Sequence, residues 1–171
     1  MATVIEHPAA TLSGPWDATT ASRIIAAHTA MEGPGLPILH ALQEEFGYVP
    51  KQAEPLIADA LNLSRAEVHG LISFYHDFRR APPGRHVLKI CRAEACQATG
   101  GVAMAERLLA RLGIGWSGTT ADGSLTVDPV YCLGLCGCGP AALLDDEPVA
   151  RLDDALLAEI TADCTRETVA A

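Results

Sequence analysis

The stretch Val130-Tyr131-Cys132-Leu133-Gly134-Leu135-Cys136-Gly137-Cys138-Gly139-Pro140 decides how the chain is read. It places three thiols and two glycines in the seven positions from Cys132 to Cys138, with Gly139 directly after. Upstream, Cys91-Arg92-Ala93-Glu94-Ala95-Cys96 begins where the apolar run from His86 to Cys91 ends. A C-x4-C pair and a C-x3-C pair together offer four thiols, the donor set of a tetrathiolate site. Short loops let two thiolates converge on one metal, and glycines let the backbone fold tightly enough to aim N–H groups at bound sulfur.

The segments around these cysteines set the expected architecture. His86 to Cys91 has strand composition, with Val87 and Lys89 on one face and Leu88 and Ile90 on the other. After Gly100-Gly101, the residues Val102, Ala105, Leu108, Leu109 and Leu112 form a helical stripe that Gly113 ends. A strand from Leu125 to Val127 continues, interrupted at Pro129, towards Cys132. Ala141 to Leu144 and Pro148 to Arg151 read as a hairpin about Asp145-Asp146-Glu147, and Asp153 or Asp154 caps a last helix burying Leu156, Leu157 and Ile160. The order βα followed by ββ(β)α is what a thioredoxin-like sandwich would give.

Before the turn-rich hinge Ala81-Pro82-Pro83-Gly84 the pattern is purely helical. Helices are expected from Asp17 to about Met31, from Pro37 to Phe46 with Gly47 as the stop, and from Gln52 to Leu61 with Pro55 in the first turn. A fourth starts at the capping box Ser64-Arg65-Ala66-Glu67 and buries Val68, Leu71, Ile72 and Tyr75. The expected fold class is therefore α/β: a flexible arm over 1–15, a helical bundle over 16–80, and a thioredoxin-like domain over 85–165.

Composition narrows the function. At 171 residues, 49% hydrophobic and 19% charged, the chain buries an ordinary core without needing a metal or disulfides for that purpose. No apolar run approaches the roughly 18 residues of a bilayer span, so membrane insertion is not expected. The net charge of −9 argues against a nucleic-acid surface. The opening residues show neither a basic region followed by an apolar core nor an Arg-rich leader, which points to a cytoplasmic location. In such a reducing compartment clustered cysteines are metal or redox ligands more often than disulfides.

Three chemistries fit four thiols. A 2Fe-2S cluster carries negative charge that deepens on reduction, so it needs donors nearby: Gly134, Gly137 and Gly139 for close backbone approach, Gly100-Gly101 for helix-start N–H groups, and Leu133 and Leu135 to exclude water. Arg92 and Lys89 are the nearest cations in sequence, and Arg92 is expected to raise the reduction potential. Structural zinc also takes four thiolates, although C-x4-C is long for a zinc ribbon. A thiol–disulfide oxidoreductase lacks its usual C-x-x-C. A Rieske-type centre would need histidine ligands, and the closest, His86, lies five residues before Cys91. From Cys132, both C-x3-C to Cys136 and C-x5-C to Cys138 are sterically open, while Cys164 reads as an ordinary buried thiol.

Two further patterns carry nothing. Gly137 to Ala142 matches G-x-G-x-x-A, but Pro140 and the short run to Asp145 leave no helix to hold a pyrophosphate. The six histidines, His7, His28, His40, His69, His76 and His86, show no metal-protease spacing.

The chain also resembles a known family. Leu39-x2-Leu42-Gln43-x2-Phe46-Gly47-Tyr48-Val49-Pro50, then Ser73-Phe74-Tyr75-x2-Phe78, then the two cysteine segments are similar to the thioredoxin-like 2Fe-2S subunit of NADH dehydrogenases. That family includes the twenty-four-kilodalton subunit of respiratory complex I and subunits of NAD-linked hydrogenases and formate dehydrogenases. The resemblance covers about residues 22–163. It implies a 2Fe-2S cluster held by Cys91 and Cys96 on one iron and Cys132 and Cys136 on the other. Ser73, where threonine is usual, and the added Cys138 depart from the family pattern without removing a ligand.

The phrase from Tyr131 to Cys136, followed by Gly139-Pro140-Ala141-Ala142, looks most like the gamma subunit of soluble NAD-dependent formate dehydrogenases. This implies one-electron transfer with the FMN of an FMN- and NADH-binding flavoprotein partner. A molybdenum- or tungsten-containing formate dehydrogenase subunit would complete the complex, with no substrate site on this chain. The resemblance also implies a centre beside the flavin, off the shortest path to the other clusters, that holds one electron transiently.

Overall fold

The computed structural model describes residues 15–166, and the expected arm lies almost wholly outside them. The described residues divide into two compact units, one ending at Pro82 and the other beginning at Pro83.

The first unit holds four helices: α1 (Ala18–His28), α2 (Gly35–Phe46), α3 (Ala53–Leu61) and α4 (Arg65–Phe74). Their boundaries follow local chemistry. Asp17 caps α1 by accepting from the Thr20 N–H at 2.7 Å, and Ser64 and Glu67 form the complete capping box of α4. Such caps satisfy N–H groups that the helix itself leaves orphaned, typically for about 1 kcal/mol. Gly47 and Asn62 end α2 and α3 in the left-handed region. The apolar faces meet in one core built on Ile25, Ile38, Leu39, Leu42, Phe46, Ile57, Val68 and Ile72.

Helical spacing places Tyr75 inside this core, but the residue is 40% exposed. Helix α4 stops at Phe74, and Tyr75 takes an extended conformation, so the spacing that would bury it no longer applies. Its ring packs edge-on against Phe74 and Phe78.

The second unit contains strands β1 (His86–Cys91), β2 (Gly118–Thr119), β3 (Leu125–Val130), β4 (Ala141–Leu144) and β5 (Glu147–Ala150), and helices α5 (Glu94–Ala98), α6 (Gly101–Leu112) and α7 (Asp154–Arg166). The strands form one mixed sheet in the order β2-β3-β1-β4-β5. β1 and β3 run parallel, with Cys91 opposite Val130, and the remaining pairs are antiparallel. Leu88, Ile90, Leu125, Val127, Ala142 and Leu144 meet Met104, Ala105, Leu108 and Leu109 of α6 and Leu157 and Ile160 of α7 in a single core. Strand side chains alternate between faces, so Val87, Lys89 and Cys91 point to the opposite side.

Three expectations shift here. α5 occupies what the sequence suggests is a plain loop, because five residues are too few for a periodic signal. Pro129 does not interrupt β3. β2 pairs only with Thr126 and Val127, leaving the ladder at Pro129 on one side alone, where a missing N–H is tolerated. The β4–β5 turn is the two-residue Asp145-Asp146, both at positive φ, as hairpin twist favours. Asp153 is the cap of α7, accepting from the Leu156 N–H at 2.8 Å, and Cys164 is buried as expected.

Candidate metal centre

Cys91 is the last residue of β1, and Cys132 lies two residues past the end of β3. Because these strands are parallel and adjacent, their carboxyl ends deliver both cysteines to the same edge of the sheet. Cys96 sits on α5, which returns the chain immediately after β1, and Cys136 opens a 3-10 turn over Cys136–Cys138.

The thiols meet in two pairs. Cys132 Sγ and Cys136 Sγ are 3.8 Å apart. Two thiolates bound at about 2.3 Å to one tetrahedral metal stand about 3.8 Å apart, so this pair already has ligand spacing. Cys91 and Cys96 are both buried and lie within electrostatic range of each other. The pairs are linked: backbone N–H groups of Cys132 and Leu133 reach the Cys91 sulfur, and Cys136 lies within electrostatic range of both Cys91 and Cys96.

The pairs differ in setting. Cys91 and Cys96 are buried and pack with Ala141, flanked by Ala93, Val130, Leu133 and Leu135. Cys132 and Cys136 are exposed, so the two leucines shield one side of the site only. Burial pushes the Cys91 thiol up, but the N–H groups of Ala93, Cys132 and Leu133, with Cys96, more than offset this and leave it below its ordinary value. Burial and then the Cys91 hydrogen bond raise Cys96, with the Ala141 N–H opposing. Cys136 is raised by the Cys132 hydrogen bond, then by the charges of Cys132 and, more weakly, Cys91.

Among the described residues, no three His, Cys, Asp or Glu side chains are grouped to hold a single metal ion. Two thiol pairs at one edge of the sheet suit two adjacent metals, one per pair, as in a dinuclear iron–sulfur cluster. The glycines around the thiols serve in different ways. Gly139 does make room: a Cβ there would lie 3.3 Å from Cys96 Sγ. At Gly101 a Cβ would lie 2.6 Å from the Cys96 carbonyl oxygen, so that glycine lets α6 start beside α5. Gly134 serves by its φ of +78°, and Gly137 faces open space. The N–H groups come from Ala93, Cys132, Leu133 and Ala141, ordinary residues that no composition signal could single out.

Cys138 is half-buried, and its sulfur turns to the Leu135 carbonyl oxygen at 3.4 Å, with no sulfur–sulfur hydrogen bond among the described residues. Lys89, on the Cys91 face of β1, is paired with Asp146 at 2.6 Å. Arg92 points to the other face, its guanidinium 4.8 Å from the Trp116 ring centre.

The fold and the site define an iron–sulfur protein of the ferredoxin type: the chain belongs to the thioredoxin-like 2Fe-2S ferredoxin family, whose model matches residues 21–165. Its relatives include an NADH-quinone oxidoreductase subunit of Pseudomonas aeruginosa, 38% identical over 109 residues, or 64% of this chain and 66% of that protein. The corresponding protein of Escherichia coli strain K12 is 34% identical over 122 residues, covering 71% of this chain and 74% of the relative. A crystal structure of NAD+-reducing NiFe hydrogenase in the H2-reduced state superposes with a TM-score of 0.62 at 27% identity, covering 85% of this chain and 22% of that one. The chain thus spans just under two thirds of the Pseudomonas relative and about a fifth of the hydrogenase chain. No helix among the described residues is long and apolar enough to cross a membrane.

Proposed function

We propose that the chain is a one-electron-transfer subunit of an NAD-linked oxidoreductase, with Cys91, Cys96, Cys132 and Cys136 as the ligands of its 2Fe-2S cluster. The observation that carries this reading is the meeting of four thiols as two pairs joined by N–H groups of Cys132 and Leu133. When bound, the cluster would supply a one-electron couple, which a flavin can reduce one electron at a time and a hydride carrier, giving two electrons together, cannot reduce directly. The residues around it hold four thiolates, stabilise their charge with backbone donors, and keep Cys91 and Cys96 from water while leaving Cys132 and Cys136 open to a partner surface. The division of labour follows the chain: 85–165 for the cluster, 16–80 as a helical element available for packing on a partner in the complex. Reduced thiols in this arrangement belong in a reducing compartment such as the cytoplasm.

The partner in this reading is an FMN- and NADH-binding flavoprotein. The parent complex is a soluble NAD-dependent formate dehydrogenase, supported by the phrase from Tyr131 to Cys136 with Gly139-Pro140 after it. The same role in an NAD-linked hydrogenase is the second reading, supported by the structural likeness to the NAD+-reducing enzyme. The NADH-quinone oxidoreductase relatives support the same role in respiratory complex I. Purification of the tagged chain with its native partners decides among them: a flavoprotein and a molybdenum- or tungsten-containing subunit with formate-dependent NAD+ reduction is expected. Recovery with a NiFe subunit or with quinone reductase subunits would replace the formate assignment.

A further inference from the structure

Arg92 follows directly on Cys91 at the end of the sheet where the four thiols meet. Neighbouring strand residues point to opposite faces, so its side chain leaves the thiol face and lies over Trp116, 4.8 Å from the ring centre. Trp116 is itself packed against the sheet-and-helix core, which makes it a fixed platform. The Arg92 Nε is buried without a hydrogen-bond partner, and among the described residues the guanidinium has no carboxylate partner.

The chain as a whole carries a net charge of −9. Lys89, Arg80, Arg107 and Arg166 are each neutralised by an acidic side chain. A guanidinium partly withdrawn from water normally demands an anion, and an indole face compensates only in part. Its charge is also poorly screened, because burial reduces the effective dielectric around it. The Arg92 carbonyl accepts from the Gln97 side chain at 2.7 Å, and its N–H donates to the Val130 carbonyl at 2.7 Å, so the backbone that carries the charge is tied to both flanking elements.

Resting on the iron–sulfur reading above, we propose that Arg92, held on Trp116, is a positioning residue that tunes this centre, its uncompensated positive charge favouring the reduced state and raising the reduction potential. It touches no thiol and acts through space. A unit charge at the same end of a partly buried site changes a one-electron equilibrium by roughly tenfold, or about 59 mV.

The test is a redox titration of the full chain, followed by visible absorption and EPR, for wild type, R92M, R92Q, R92K and W116L. R92M and R92Q, which keep the stem and remove the charge, should lower the midpoint by a shift corresponding to about a tenfold change. R92K should recover most of it. W116L should lower it by releasing the guanidinium to solvent, and should add nothing further to R92M in the double variant. An R92M or R92Q protein with the wild-type spectrum and an unchanged midpoint overturns the proposal. So does a W116L shift that is as large in the R92M background as in wild type. If R92M and R92Q lose iron, W116L and R92K carry the decision: W116L unchanged from wild type refutes the tuning role. A wild-type chain that holds no iron and sulfide would instead remove the iron–sulfur reading on which the proposal rests.

Discussion

The backbone N–H of Cys132 is aimed at the sulfur of Cys91, although the two residues belong to the ends of different strands. Parallel pairing of β1 with β3 produces this meeting, since Cys91 is in register with Val130 and the chain turns back at Cys132 with φ +66°. A non-glycine residue in that region is costly unless its surroundings hold it. The register of β1 with β3 places Cys132 beside Cys91 all the same.

The separation of Cys136 from Cys138 can be checked directly. Cys136 faces Cys132 at ligand spacing, while Cys138 turns to the Leu135 carbonyl. The variant C136S should lose or distort the cluster's visible spectrum, and C138S should leave it intact. The opposite outcome would exchange their roles.

The glycines of the site are expected to differ sharply. G101A sets a Cβ against the Cys96 carbonyl and should cost about 1–3 kcal/mol with loss of iron retention. G134A strains a left-handed residue and should cost about 1–2 kcal/mol. G137A meets open space and should be close to neutral. Chemical denaturation with iron content measured in parallel tests all three.

In the helical unit, Glu54 is buried and bonded to Arg80 at 2.5 Å and His69 at 3.2 Å. Burial raises its carboxyl, but the hydrogen bonds from His69 and Arg80 prevail and hold it below its ordinary value. A depressed folded-state value means the stabilisation is complete above the unfolded value, near 4.5, and disappears as pH falls through the folded one. E54Q should therefore cost about 1–3 kcal/mol near neutrality, and the gap to wild type should narrow as pH falls below about 4.5. Urea unfolding across pH measures it. A gap that widens in acid would contradict the pairing.

At the far end of β1, Asp145 accepts from the Val87 N–H at 2.8 Å and contacts the buried His86 ring at 2.7 Å while holding the first position of the β4–β5 turn. D145A should destabilise by about 2–3 kcal/mol, and D145N, which tolerates the left-handed turn and keeps one acceptor, by less. Urea midpoints of the two variants distinguish loss of the bonds from loss of the turn.

Much of this molecule is legible in its sequence because its signals are local. Capping by Asp17 and Ser64, the stops at Gly47 and Gly113, and the strand from His86 to Cys91 all follow from nearest-neighbour chemistry. Cysteine spacing likewise marks the thiols in pairs. What stays hidden depends on partners distant in sequence. Pro129 fits β3 because β2 is short, Tyr75 is exposed because α4 ends early, and the donors to Cys91 and Cys96 are backbone groups that the sheet brings into place. Arg92 is readable as a nearby cation, but nothing in the sequence joins it to Trp116.

That four thiols in two pairs hold a dinuclear iron–sulfur cluster is tested most directly by iron, zinc and acid-labile sulfide analysis of the purified chain, with visible and EPR spectra before and after reduction. The expected result is a red-brown protein with about two irons and two sulfides per chain and an EPR signal that appears on one-electron reduction. A colourless protein with one zinc and no sulfide would contradict it.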